Sequence, residues 1–398
     1  MSSEFTLTLE KNIPEGMVEE LSNRIYFISP NLESLNVNPT SIKGVWNGEK
    51  GSLPEIKEKI VSFINDFLES MMQIPEDTLF DHSERQCSCS EDPYEDLIAQ
   101  GELHEEMRGV FVQGPLITNL WRVFNQKFDS IIEKYQMNRY SFPALINPDI
   151  LEETGYLNEY PHNAGFVSHL EENIQSIQSF SENIKSGNKK TIDASHSEQL
   201  NTKATLSPAV CYHFYPLLAN KSIPNEGIWG TAESKCFRYE SKAMNSLTRL
   251  WDFTMREFIF AGPKDVLEKY RKEFLETELP TWFDELELNY KLTTANDPFF
   301  SSEENSKRAF QLAFKLKYEA RCLLPYSGKS MACASINYHQ DHFSSIYKFV
   351  VEESDELAHT FCFGIGLERL AFAFLAQHGL DSSKWPQKVQ EQIKGLAK

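Results

Sequence analysis

Apolar positions along the chain follow two rhythms in turn. Over residues 4–72, FTLTLE places them at every second position, and PEGMVEELSNRIYFI spaces them three and four apart. ESLNVNPTSIKGVW returns to a strand-like pattern, and SLPEIKEKIVSFINDFLESMM is again helical, with Ser52 placed as its N-cap. A small α/β module is predicted. Residues 73–105 are acidic and turn-rich and read as a linker.

The texture changes from Gly109 onward. ITNLWRVFNQKFDSIIEKYQ predicts a long amphipathic helix and YSFPALINP a strand interrupted by Pro143 and Pro148. HLEENIQSIQSFSENIKS predicts a second helix, running into a polar surface loop. Aromatic-rich segments then read as strands: AVCYHFYPL, SKCFRYES, TRLWDFTMREFIFAG and HTFCFGIGL. PKDVLEKYRKEFLETEL and ENSKRAFQLAFKLKYEA read as helices between them. With no regular βαβα order, the expectation is an α+β fold around an antiparallel sheet, divided into residues 1–100 and 101–398.

Composition narrows the function. Hydrophobic content of 41% and charged content of 24% are those of an ordinary globular chain. The apolar runs are too short to span a bilayer, and MSSEFTLTLEKNIPEG has no basic stretch followed by an apolar core, so a cytoplasmic enzyme is expected. Seven scattered cysteines point to free thiols and metal ligands rather than a disulfide framework. A net charge of −19 with no basic arm counts against extended nucleic-acid binding.

Three segments carry candidate chemistry. The first is the long helix and the strand reaching Pro143. The second is Phe237-Arg238-Tyr239-Glu240, followed by Arg249, Phe253 and Glu257 at even spacing, which puts these three on one face of a strand. The third is Gly364-Ile365-Gly366-Leu367-Glu368-Arg369, opening a helix. Taken singly, Arg238 and Glu240 also fit a surface pair, Phe253 a core aromatic, and Arg369 a solvated helix-terminal charge. In this order and at these separations, the segments resemble motifs 1, 2 and 3 of the class II aminoacyl-tRNA synthetases over roughly residues 110–380.

That resemblance implies adenylation of an amino acid with ATP and Mg²⁺. An arginine fork matches phosphate oxygens and offsets charge on the transferred group. It implies Arg238 at the α-phosphate, Arg369 at the γ-phosphate, Glu240 at the adenine end and Phe253 stacked on the base. The phrases PAVCYHFYP, CFRYE, MREF and TFCFGIG are similar to a narrower branch, the methanogenic-type seryl-tRNA synthetases and their relatives the amino acid:[carrier protein] ligases. In that branch Cys211, Glu257 and Cys362 correspond to zinc ligands, with the fourth position taken by the substrate's amine. Such a site selects a small amino acid. Taken alone, each cysteine also fits a small buried hydrophobe. Cys236 reads as structural, and Cys87 and Cys89 form a C-x-C in the acidic linker with no partner pair nearby, which disfavours a second zinc there without fixing their role.

ACASINYHQDHF resembles the family strand that contacts substrate, with Asn337 as the contact and His339 and His342 as structural residues. A gapless match places Met331 and Ala334 where the synthetases hold magnesium. Glu352, Glu353, Asp355 and Glu356 are the nearest run of carboxylates, unless that run is a solvated turn.

Two acceptors fit the adenylation reading: a carrier protein's phosphopantetheine thiol, or a tRNA as in seryl-tRNA synthetases. An acidic N-terminal hundred residues make a poor tRNA platform, and AVCYHFYP, TGYLNEYPHNAGF and SINYHQDHF look closer to the ligases, which favours the carrier. Lys185, Lys189 and Lys190, with Lys203, form the candidate carrier-docking patch, weighed against an ordinary solvated loop. An inactive synthetase paralogue acting as a binding or regulatory protein is the remaining reading. Motif 1 implies a homodimer.

Overall fold

The computed structural model describes residues 2–14, 17–69, 76–186, 200–244, 246–297 and 311–396. The first elements are β1 (Ser3–Thr8), α1 (Val18–Ile25), β2 (Leu32–Asn38), β3 (Ser41–Trp46) and α2 (Leu53–Glu69). Strand β3 lies between β1 and β2, antiparallel to both. The four-residue spacing of Ile56, Ile60 and Ile64 turns one face of α2 onto this sheet, closing a core with Phe5, Ile42 and Trp46.

The stretch read as a linker is not all linker. Strand β4 (Thr78–Asp81) sits within it and joins the edge of the large sheet, with Phe80 packed on the main core. Four residues are too few for a period-2 pattern to stand out. Helix α3 (Pro115–Tyr135) then begins after an extended Gly114 and ends at a left-handed Gln136. Its buried stripe includes Ile117, Leu120, Phe124, Phe128 and Ile131.

The large sheet has eight strands. After β4 they are β5 (Asn138–Arg139), β6 (Ile228–Phe237), β7 (Asp252–Gly262), β8 (Tyr290–Thr294), β9 (Lys317–Leu324), β10 (Lys329–Gln340) and β11 (His359–Gly366). Their spatial order is β4-β8-β9-β10-β11-β7-β6-β5. All neighbours are antiparallel except β5, which runs parallel to β6. Helix α4 (Ile174–Ser186) lies outside this sheet, and α5 (Leu367–His378) packs on β7, β9, β10 and β11. Every residue of α5 from Leu370 to His378 is buried, as expected for a helix apolar on all sides. This is the α+β antiparallel architecture expected from the sequence.

Several element boundaries differ from the pattern reading. AVCYHFYPL is not a strand but two tight helical turns, Cys211–His213 and Tyr215–Leu218. Pro216 removes the backbone donor a central strand would need. Thr248–Trp251 precede β7 rather than belonging to it, and YSFPALINP contributes only Leu145–Ile146. Helix α4 starts at Ile174, because Phe166–Leu170 is strand. Lys317–Ala320, read as helix, are strand β9, whose Lys317, Glu319 and Arg321 alternate with Tyr318, Ala320 and Cys322. No helix among the described residues is long and apolar enough to cross a membrane.

Candidate active site

One cavity of about 780 Å³ opens on the face of the large sheet. Cys211, Arg238, Glu240, Phe253, Glu257, Asn337, Cys362 and Arg369 all line it. The geometry explains this gathering. Phe253, Met255 and Glu257 share a face of β7 by parity, and Asn337 on β10 is in register with Cys362 on β11. The turn Cys211–His213 lays Cys211 over them.

The ligand atoms of Cys211, Glu257 and Cys362 lie within 4.8 Å of one another, and all three residues are buried. The Cys211 thiol is pushed well above its ordinary range by its contact with Cys362, by burial and by Glu257. Burial raises Glu257 to about 7, although Cys211 and Arg238 pull the other way. The Glu257 Oε2 atom is buried without a hydrogen-bond partner, which is costly unless a further group satisfies it. Gly364, opposite Glu257, leaves the space open: a Cβ there would meet Met255 Cε at 3.0 Å and Glu257 Oε1 at 3.5 Å. Around the cluster, the Asn337 amide nitrogen and His339 Nε2 each stand 3.7 Å from Cys362 Sγ. His339 also meets Thr360 Oγ1 at 3.2 Å, and burial lowers its pKa to about 3.

At the other end, Arg238 donates from Nε to the Pro208 carbonyl at 3.0 Å, and its guanidinium lies 5.4 Å from the Phe253 ring centre. Arg249 does not stand on the strand face with Phe253 and Glu257. It precedes β7 and forms an ion pair with Glu240. Burial would raise the Glu240 carboxyl, but Arg249 and Arg369 together hold it below its usual range. Arg369 donates to the carbonyls of Thr248 at 2.8 Å and Ala332 at 3.2 Å. Its neighbour Glu368 is buried and accepts the Thr254 amide with both carboxylate oxygens, tying the start of α5 to β7.

Sequence reasoning missed a polar row along the cavity wall. Lys317 Nζ reaches Asp297 Oδ1 at 2.6 Å and Glu319 at 3.2 Å, and Arg321 reaches Glu319 at 2.6 Å. Gln311 donates to Asp297 Oδ2 at 2.8 Å and accepts the Asp297 amide at 2.9 Å. Burial alone would lower Lys317, but the two carboxylates hold it above its ordinary value. The alternation K-Y-E-A-R-C has the period of a strand, and its first four residues fall in the segment ENSKRAFQLAFKLKYEA that reads as helix. Glu352, Glu353, Asp355 and Glu356 are exposed, form the solvated turn and do not reach the cavity. Cys236 is fully buried in β6. Lys185 is exposed on α4, Lys203 is paired with Glu172 at 3.1 Å, and Lys189 and Lys190 lie outside the described residues.

Comparison with known proteins bears on the fold and the family. A model of the class II tRNA-synthetase core domain (G, H, P, S and T) matches residues 194–378. Two proteins of Bradyrhizobium diazoefficiens, amino acid–[acyl-carrier-protein] ligases 1 and 2, are 32% and 33% identical over 256 and 257 residues. Each alignment takes in 64% of this chain, and 76% and 74% of the respective relatives. The type-2 serine–tRNA ligase of Methanothermobacter thermautotrophicus is 27% identical over 312 residues, 77% of this chain and 60% of that protein. The crystal structure of M. kandleri SerRS in complex with A. aeolicus tRNASec superposes with a TM-score of 0.72 at 20% identity, covering 99% of this chain and 78% of that one, which shows a shared fold. The fold and site thus define a class II synthetase-like ligase. Within that class, the chain belongs to the family of the amino acid–[acyl-carrier-protein] ligases and their homologues, the type-2 serine–tRNA ligases.

Proposed function

We propose that the protein activates a small amino acid with ATP and passes the aminoacyl group to the phosphopantetheine thiol of a carrier protein. The observation that carries this reading is the meeting of a Cys-Glu-Cys cluster and two arginines in one cavity. Two thiols and a carboxylate are a donor set suited to zinc. The orphaned Glu257 oxygen and the space at Gly364 fit a cation held there. Cys211, Glu257 and Cys362 would hold zinc, which would supply a Lewis-acid site for the substrate's amine. ATP and Mg²⁺ are expected companions of class II chemistry.

The chain's own groups do the rest. The substrate carboxylate oxygen forms a bond to the α-phosphorus, and the bond from that phosphorus to the bridging oxygen breaks, its electrons leaving on pyrophosphate. Arg238 neutralises charge on the α-phosphate, and Arg369 holds the γ-phosphate. Glu240 positions the base and Phe253 stacks on it. Asn337 orients the amino acid. The carrier's sulfur then attacks the activated carbonyl, AMP leaves, and the thiol proton is lost to AMP or solvent.

In this reading residues 101–398 are the catalytic unit, with β4 lent to its sheet, and two copies associate through α3. Lys185 and Lys203 are the described part of the carrier-facing patch. ATP–pyrophosphate exchange over glycine, alanine, serine and other small amino acids tests the first step. Exchange with none of them sinks the enzyme reading in favour of a binding protein. Offering holo-carrier protein and tRNA separately to the activating mixture then decides the acceptor.

A further inference from the structure

The N-terminal module has its own hydrophobic core, distinct from that of the large sheet. Yet Pro14, Met17, Glu20, Asn23, Arg24 and Phe27, in and beside α1, form part of the cavity wall. Two attachments bring them there, and both end on motif 2. Lys242 lies two residues beyond Glu240, in the turn Ser241–Ala243. It donates its ammonium to the Pro30 carbonyl at 2.9 Å and to the Leu32 carbonyl. Phe27 meets the ring of His162 edge-on at 5.1 Å and 76°. The next residue, Asn163, accepts the backbone amide of Tyr239 at 3.1 Å. Glu240 is therefore bracketed, through Tyr239 on one side and Lys242 on the other, by contacts that lead back to the first module. Within the wall, Arg24 is buried, paired with Glu20 at 2.9 Å and set over the Phe67 ring at 5.1 Å.

A lysine that spends its donors on two carbonyls of another module reads the path of that backbone rather than a charge. The attachment positions a wall. We propose that the N-terminal module completes the nucleotide end of the active-site cavity, with Lys242 as the positioning residue that ties it to the motif 2 turn. This rests on the reading of Glu240 as a nucleotide contact given above. Among the described residues, the Cys211, Glu257 and Cys362 cluster takes no ligand from this module. Loosening the wall should therefore weaken ATP and spare the amino acid.

The test uses the full chain with Lys242→Met, Lys242→Arg, Phe27→Ala and the Lys242→Met/Phe27→Ala double variant. Michaelis constants for ATP, amino acid and carrier are measured, and ATP binding is measured directly by calorimetry. Lys242→Met is expected to raise both the ATP KM and the ATP Kd by about fivefold or more, the scale of one lost positional contact. The amino-acid KM should stay within about twofold. Lys242→Arg should recover most of the loss. Phe27→Ala should move ATP in the same direction, and the double variant should be little worse than the poorer single one, because both release the same wall. A lowered melting temperature with unchanged ATP constants overturns the inference, as does an effect confined to the carrier's KM. A wild-type chain that binds ATP but exchanges with no amino acid fails only the proposed function, and calorimetry still reads the wall. A wild-type chain that binds no ATP fails both.

Discussion

Asn337 and Cys362 face each other in register across β10 and β11, with the Asn337 amide nitrogen 3.7 Å from the Cys362 sulfur. The amide stands close enough to orient the Cys362 sulfur and, in the proposed function, the substrate's amine beside it. Asn337→Ala is expected to retain zinc while raising the amino-acid KM about tenfold, the cost of one buried hydrogen bond to a charged group. Cys362→Ser should lose metal and exchange together. Metal analysis alongside exchange kinetics checks both, and a Cys362→Ser protein that exchanges normally would remove zinc from the proposal.

Arg238 meets the cavity as a fork, fixed through Nε by the Pro208 carbonyl and set over Phe253. Lysine keeps the charge but loses the second donor and the stacking plane. Arg238→Lys should lower exchange kcat roughly 10²-fold, the range found when one transition-state donor is removed. The amino-acid KM should change little. A variant whose KM for ATP rises with kcat intact would show that the guanidinium binds ground state and transition state alike.

Glu240 and Arg249 form a pair that no motif spacing announces. Removing Arg249 takes away the largest of the charges that keep the Glu240 carboxyl low and leaves Arg369 and Arg238 beside it. Arg249→Ala and Glu240→Ala are expected to couple in a double-mutant cycle on the ATP KM by about 1–2 kcal/mol. Additive losses would mean that the two residues act separately.

His162 links acidity to stability. Burial and Arg24 lower its pKa from 6.5 to about 4. Between those values the unfolded chain binds a proton that the folded chain does not. Its contribution is therefore complete above pH 6.5 and is lost as pH falls toward 4. Urea unfolding at pH 7.5 and 5.0 should show His162→Phe, which keeps an aromatic edge toward Phe27, losing about 1–2 kcal/mol less than wild type across that interval. Equal losses would place the acid sensitivity elsewhere.

Motif 1 gives a prediction about assembly. If α3 and the adjoining strand join two copies, light scattering at micromolar concentration will give twice the chain mass of 45.9 kDa. A monomer would refute this use of α3.

The sequence made some of this legible and hid the rest for definite reasons. Arg238, Glu257, Cys362 and Arg369 are legible through the motif resemblance, which implies their convergence, and the strands and helix that carry them have clear periodicities. Cys211 was identified although its segment was misread as a strand, because motif similarity is insensitive to local backbone shape. The Lys317–Glu319–Arg321 row was hidden because apolar residues in FQLAFKLKYEA support a helical period as well as a strand period, and the longer pattern prevailed. Contacts such as Lys242 to Pro30 join residues more than 200 positions apart and leave no trace in local pattern.

The row of Asp297, Lys317, Glu319 and Arg321 has a consequence for how this wall can diverge. Its two positive and two negative groups satisfy one another. Deleting one strands its neighbour's charge beside the cavity, at a cost well above that of losing the whole row to matched apolar residues. Viable descendants should therefore change these positions together or not at all, and the four residues should be inherited as a block.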